Sequence, residues 1–169
     1  MIIIVEGPDG SGKTTLLKQL EEKGFKTLPR IPREHIENAE LFKSTVRLTH
    51  YDIWCLDRCF ITELIYRCIK QDKEPTITLK QIVDCLQEYG VLYVFCANRN
   101  SYRNAKLRGE NYVLDKKEHD AISNAYDFVY NMLNLFTNVD LYKYDYEKDN
   151  VNSLIEYIKV LYEKDLHSC

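Results

Sequence analysis

Residues 7–14 read GPDGSGKT, with three glycines and one lysine in eight positions, between two segments of opposite periodicity. Ahead of them MIIIV is a short run of β-favouring residues, and behind them KTTLLKQLEEKG has helical character up to Gly24. Glycines let a backbone curl on itself, successive amides in that curl form an anion nest, and the helix that follows adds the positive end of its dipole. The pattern is GxxxxGK[ST], running from Gly7 through Gly12 and Lys13 to Thr14. It predicts a strand, a phosphate-cradling loop and a helix in that order.

The rest of the chain repeats the alternation. Strands are expected near Phe25 to Leu28, in YDIWCLD, in VLYVFCA and in VDLYKYD. Helices are expected from about Glu34 to Leu48, from Phe60 to about Gln71, and through Leu79, Ile82, Val83 and Leu86 up to Gly90. A long helix fits Ile122, Ala125, Val129, Met132, Leu133 and Phe136 on one face, and a last one fits Leu154, Ile155, Ile158, Leu161 and Tyr162. Parallel strands need long right-handed crossovers, so this order predicts an α/β fold with a five-stranded parallel sheet and helices on both faces. Ligands in such sheets sit beyond the carboxyl ends of the strands, which directs attention to Glu6, Asp57 and Asn98.

The chain has 169 residues, which suits one domain over 1–169, and its 45% hydrophobic and 29% charged content can form a core without structural metal. A net charge of -3 lacks the cationic footprint of a duplex binder, so no stable nucleic-acid partner is expected. No apolar run reaches membrane-spanning length and no signal peptide is visible. Six cysteines without a CxxC pair read as reduced thiols, and four scattered histidines as surface or locally bonded groups. A cytoplasmic location follows, and homodimerisation is left open.

Within the loop, Gly7, Gly10, Ser11, Gly12, Lys13, Thr14 and Thr15 are the expected contacts of a nucleoside triphosphate. Lys13 would bridge the β and γ phosphates and the Thr14 hydroxyl would join a Mg²⁺ shell. Asp57 either supports that ion through water or pairs with Lys13 or Arg58.

The longer string EGPDGSGKTT, Glu6 to Thr15, resembles the P-loop of thymidylate kinases and their phage relatives. Asp57 and Arg58 end a strand as the family's DR motif does, and Tyr66 follows nine residues after Asp57 as in DRxxxSxxxYQ, with Thr62 in place of serine and Arg67 in place of glutamine. The basic segment ANRNSYRNAKLRGENYV stands where the family carries its mobile LID, here about 99–115. Arg99, Arg103 and Lys106 share a face if that segment is helical, and an ordinary solvated face is the alternative.

The resemblance implies a P-loop NTPase fold and an ATP-dependent, Mg²⁺-requiring kinase whose substrate is a nucleoside monophosphate, dTMP or a related or modified pyrimidine deoxynucleotide. It implies that Arg58 bridges donor and acceptor, and that Arg103 and Arg108 close over the transferring group. Asp9 would accept from the acceptor's 3'-hydroxyl, or else serve as a turn-stabilising Asx residue. Arg30 would lie near the acceptor phosphate, with Phe42, Arg47 and Tyr66 about the base, although aromatics on helices are more often core. The family's LFxxxR appears here as LFKSTVR, with Arg47 five residues after Phe42. A deoxynucleoside kinase, with Glu34 or Asp57 as base, and a kinase of nucleic-acid ends or modified bases are the alternatives.

Overall fold

The computed structural model of the chain describes residues 1–28, 53–70, 78–88, 90–109 and 115–167. The expected helix over 34–48, with Arg30, Phe42 and Arg47, lies outside the described residues, as do 110–114 of the LID segment. Five strands form one parallel sheet: β1 (Ile2–Glu6), β2 (Lys26–Leu28), β3 (Trp54–Asp57), β4 (Val91–Cys96) and β5 (Asp140–Tyr144), in the order β2-β3-β1-β4-β5. The first strand is central, with Ile2 level with Trp54 on one side and Val91 on the other. All five of its residues are buried, which is why it reads as an unbroken apolar run with no alternation.

The period of two decides which face each side chain joins. Ile2, Ile4, Tyr93 and Phe95 pack under α2 (Phe60–Lys70), α3 (Leu79–Glu88) and α5 (Lys116–Phe136). Ile3, Val5, Leu92, Val94 and Cys96 pack under α1 (Lys13–Glu22) and α6 (Val151–His167). A short helix, α4 (Ser101–Leu107), follows β4 at the start of the segment expected to form a LID. β1, β3 and β4 are neighbours, so Glu6, Asp57 and Asn98 meet at one edge of the sheet, where the phosphate loop also lies.

Three expectations need correction. Phe136 is 73% exposed and lies off the core face of α5, where Tyr126 is instead fully buried. Helix α4 begins at Ser101, so Arg99 precedes it and cannot share its face with Arg103 and Lys106. His119 is buried, and its hydrogen bond reaches across the fold to the phosphate loop. Cys55, Cys59, Cys85 and Cys96 are buried thiols and Cys68 an exposed one. Among the described residues no helix is long and apolar enough to cross a membrane.

Candidate active site

The loop between β1 and α1 closes tightly on its surroundings. Gly7, Gly10 and Gly12 have φ of 144°, 75° and 91°. A Cβ at Gly7 would stand 2.3 Å from the Cys96 carbonyl oxygen, one at Gly10 2.0 Å from that of Ser101, and one at Gly12 2.2 Å from the Tyr146 ring. Each glycine is therefore required both by conformation and by close approach. Helix α1 has no side-chain cap, so its first-turn amides are left for an anion.

Lys13 is buried, and its Nζ donates to the carbonyls of Gly7 at 2.9 Å and Pro8 at 2.6 Å, which fixes the ammonium inside the loop. Burial, and next the charge of Arg58, pull its pKa down to about 8 against the opposing pull of Asp9. An added phosphate would reverse that balance. The Ser11 hydroxyl is buried beside Gly7 and has no hydrogen-bond partner among the described residues.

A cavity of about 110 Å³ is lined by Asp9, Gly10, Gly12, Lys13, Thr14, Asp57, Arg58 and Arg108. That is room for phosphoryl oxygens. Asp57 pairs with neither Lys13 nor Arg58 among the described residues, and its Oδ1 is buried without a partner. The Thr14 hydroxyl is on an exposed residue of the same wall, while Thr15 is half-buried behind it. A carboxylate oxygen in need of a partner beside a hydroxyl fits a hard divalent cation. No group of three or more acidic, cysteine or histidine side chains gathers for a metal among the described residues, at this site or elsewhere.

Next to this cavity Asp9, Arg58 and Tyr66 converge from three elements. The Arg58 guanidinium donates to Asp9 Oδ1, and the Tyr66 hydroxyl donates to Asp9 Oδ2 at 3.0 Å. Arg58 also lies over the Tyr66 ring at 5.7 Å, with Lys70 5.4 Å from the ring centroid. Burial alone would raise the Asp9 carboxyl, but the charge and hydrogen bond of Arg58, with Lys13 and Tyr66, outweigh it and hold Asp9 below its ordinary 3.8. Arg58 has a φ of 65°, the only positive value outside glycine among the described residues. A non-glycine residue held there marks a backbone fixed by its neighbours.

Those neighbours are visible. Arg58 N–H extends the sheet ladder to the Val5 carbonyl at 3.0 Å. Glu6, fully buried, accepts from the Cys59 amide at 2.7 Å and from the Thr62 hydroxyl and amide, so a carboxylate from the tip of β1 caps the start of α2. Tyr126 closes the network at 2.6 Å from Thr62 Oγ1. Burial raises the pKa of Glu6, and the bonds from Thr62 and Cys59 with the charge of Arg58 offset this only in part. From the other side, His119 Nε2 of α5 bonds the Asp9 carbonyl at 3.0 Å, and the Tyr146 hydroxyl accepts from Asn104 of α4 at 2.6 Å.

The site thus assembles Lys13, Thr14, Asp57, Asp9, Arg58, Tyr66 and Arg108, whereas Arg103 is exposed on α4 and does not line the small cavity. The supports are side chains that no sequence pattern pointed to in that role: Thr62 and Tyr126 on Glu6, His119 on Asp9, and Tyr146 against Gly12. Only Thr62 had a signal, its place in the DRxxxS spacing. A larger cavity of about 630 Å³ begins at Pro8 and extends between α4, α5 and the tips of β4 and β5.

No protein-family model matches the chain, and no curated protein sequence does. Solved structures do. YorR from Bacillus subtilis, in complex with phosphorylated GDP, is 23% identical over 99% of this chain and 98% of its own, with a TM-score of 0.70. Deoxyadenosine kinase from M. mycoides, with the products dCMP and a flexible dCDP, is 15% identical over 99% of both chains, with a TM-score of 0.58. The same kinase with bound dCTP is 17% identical over 100% of both, with a TM-score of 0.59. At such identities the likeness is one of fold. A parallel sheet ordered β2-β3-β1-β4-β5, with a glycine-rich phosphate loop after its central strand, gives this chain the P-loop NTPase fold that it shares with those structures.

Proposed function

We propose that the protein is a thymidylate kinase-like enzyme that transfers the terminal phosphoryl group of ATP to the phosphate of a deoxynucleoside monophosphate, dTMP or a related or modified pyrimidine nucleotide. The observation that carries the reading is the Asp9, Arg58 and Tyr66 constellation sharing a wall with Lys13 and Arg108. Three cations around a phosphoryl-sized space exceed what holding one nucleotide requires.

Phosphoryl transfer depends on in-line placement and charge neutralisation more than on covalent help from the protein. Lys13 and the loop amides hold the donor phosphates. Arg58, locked by its fixed backbone and by Asp9, reaches toward the acceptor phosphate. Arg108, at the end of α4, supplies the cation on the LID side, and closure of that segment would exclude water. Asp9 orients Arg58, and its Oδ2, which accepts from Tyr66, has a further lone pair to accept from the acceptor's 3'-hydroxyl. Thr14 and Asp57 would hold Mg²⁺, which neutralises charge across the donor phosphates. The products are ADP and the nucleoside diphosphate. Buried thiols agree with a reducing, cytoplasmic setting.

The deoxynucleoside kinase reading has one observation of its own: Asp57 Oδ1, buried and unpartnered at the tip of β3, has the chemistry of a base for a neutral hydroxyl. ADP release measured with ATP, Mg²⁺ and matched panels of nucleosides, monophosphates and 5'-hydroxyl oligonucleotides separates the readings. Turnover of monophosphates alone is expected. Turnover of nucleosides alone, abolished by Asp57→Asn, would replace the first reading with the second, and labelling of oligonucleotides alone would reject both.

A further inference from the structure

Pro8 to Ser11 form a β-turn inside the phosphate loop, closed by the Ser11 amide on the Pro8 carbonyl at 3.3 Å. Asp9 has a negative φ and Gly10 a φ of 75°, which makes the turn type II. In a type I turn the central peptide is turned over, and the third residue has a φ of about −90° instead. Glycine takes either sign at little cost, so Gly10 does not itself choose between the two forms. The choice falls to whatever holds the peptide that joins Asp9 to Gly10.

The Asp9 carbonyl has one partner among the described residues, His119 Nε2 at 3.0 Å. A carbonyl oxygen only accepts, so Nε2 carries the proton, while Nδ1 lies 3.4 Å from the Ser123 hydroxyl. The His119 residue is 4% exposed, and its ring meets the Tyr102 ring of α4 edge to face at 5.5 Å. The first turn of α5, which carries it, is capped by Asp115 accepting from the Lys117 amide at 3.0 Å. Two helices therefore fix the imidazole before it meets the loop. On the loop side, α4 crowds Gly10 so closely that a Cβ there would stand 2.7 Å from the Ala105 nitrogen.

A trans peptide points its carbonyl and its amide in opposite directions. With the Asp9 oxygen held by His119, the Gly10 N–H points away from α5, to the side on which Gly10 lines the small cavity with Lys13, Arg58 and Arg108. That amide has no acceptor among the described residues. A flipped peptide would set the Asp9 oxygen where phosphate oxygens have to lie and would turn the donor away. We infer that His119 is a positioning residue for phosphoryl transfer: its hydrogen bond to the Asp9 carbonyl holds the turn in its type II form and so aims the Gly10 amide at the phosphoryl group in transfer. A donor fixed in advance needs no reorganisation as charge develops. This rests on the phosphoryl-transfer reading of the site, though not on which acceptor is used.

Calorimetric affinities for ADP alone and for ADP with beryllium fluoride, both with Mg²⁺ and without an acceptor, test this in the full chain. The fluoride complex stands in for the terminal phosphoryl group, so the difference between the two ligands reports on that group alone. His119→Leu keeps bulk and removes the donor. It is expected to raise the Kd for ADP with beryllium fluoride about tenfold, the upper range for one neutral hydrogen bond, and to leave that for ADP within about twofold. In turnover it should lower kcat by a similar factor with the KM of the acceptor unchanged.

His119→Gln carries an amide donor on a side chain of similar reach, and should return the fluoride affinity to within about threefold of wild type. A His119→Leu protein that binds the fluoride complex like wild type overturns the inference. So does one that loses ADP in step with the fluoride complex, which is general loosening of the loop, and so does a His119→Gln protein as weak as His119→Leu. Failure of the proposed acceptor shows separately: a protein that follows these expectations in binding yet phosphorylates nucleosides and not monophosphates upholds the role of His119 and rejects the monophosphate.

Discussion

Replacing Arg58 with methionine separates its structural from its chemical contribution. The Arg58 and Asp9 side chains are 12% and 10% exposed, so removing the guanidinium leaves a carboxylate that is nearly dry. Breaking a buried pair from one side costs about 3–5 kcal/mol. Asp9 keeps the Tyr66 hydroxyl at 3.0 Å and lies near Lys13, so the expected loss falls to about 2–3 kcal/mol for Arg58→Met. The double variant Asp9→Asn, Arg58→Met leaves no orphan charge, and its coupling energy should be about 2 kcal/mol. Urea denaturation of the four proteins measures it. Arg58→Gly should be about 1 kcal/mol more stable than Arg58→Ala, because a residue at a φ of 65° is strained unless it is glycine. In turnover, Arg58→Met should lower kcat by about 10²–10³-fold, the range for removal of a transition-state donor. Coupling below about 0.5 kcal/mol, within the scatter of independent sites, would refute the structural argument, and kcat within threefold of wild type the chemical one.

Other perturbations test single parts of the site. Lys13, with its pKa near 8, should take up a proton when ATP binds above that pH, so affinity should fall as pH climbs past 8; calorimetry in buffers of different ionisation enthalpy measures the uptake, and none would contradict the site. Glu6 has a raised pKa, so its linked stability is complete below 4.5 and is lost as pH rises through the native value. Denaturation of Glu6→Gln should lack that loss, and an unchanged pH profile would contradict the burial argument. Gly10→Ala would put a methyl 2.0 Å from the Ser101 carbonyl oxygen, whereas Gly24→Ala, with a φ of 91°, meets nothing within 4 Å. The first should cost about 3 kcal/mol and much of kcat/KM, since Arg108 moves with α4, and the second about 1–2 kcal/mol alone. Equal costs would deny the close approach of α4 to the loop.

The sheet and its phosphate loop were legible in the sequence because their signals are local. MIIIV followed by GPDGSGKT fixes strand, loop and helix within about twenty residues, and the apolar runs ending at Asp57 and Cys96 mark strands that are buried on both faces. Arg58 and Tyr66 were legible through spacing. The side chains that hold them were not, since Glu6 meets Thr62 and Tyr126, and Asp9 meets His119, across long stretches of chain. A histidine that supports a loop carbonyl has no local pattern to distinguish it from one on the surface. Arg99 and Phe136 were misplaced for another reason: Arg99 lies just before a helix and Phe136 is the last residue of one, where periodicity stops deciding which way a side chain points.

A phosphate-bearing acceptor is tested most directly by comparing kcat/KM for dTMP with that for thymidine on the same preparation, with ATP and Mg²⁺ saturating. A site built around Arg58 and Arg108 should favour the monophosphate by at least about a thousandfold, because a neutral acceptor leaves the largely buried Arg58 guanidinium without the group it is placed to meet. Other pyrimidine monophosphates measured against their own nucleosides should show the same preference even where dTMP is not the best base. Equal rates for nucleoside and monophosphate across those pairs, or faster nucleosides, would contradict the account.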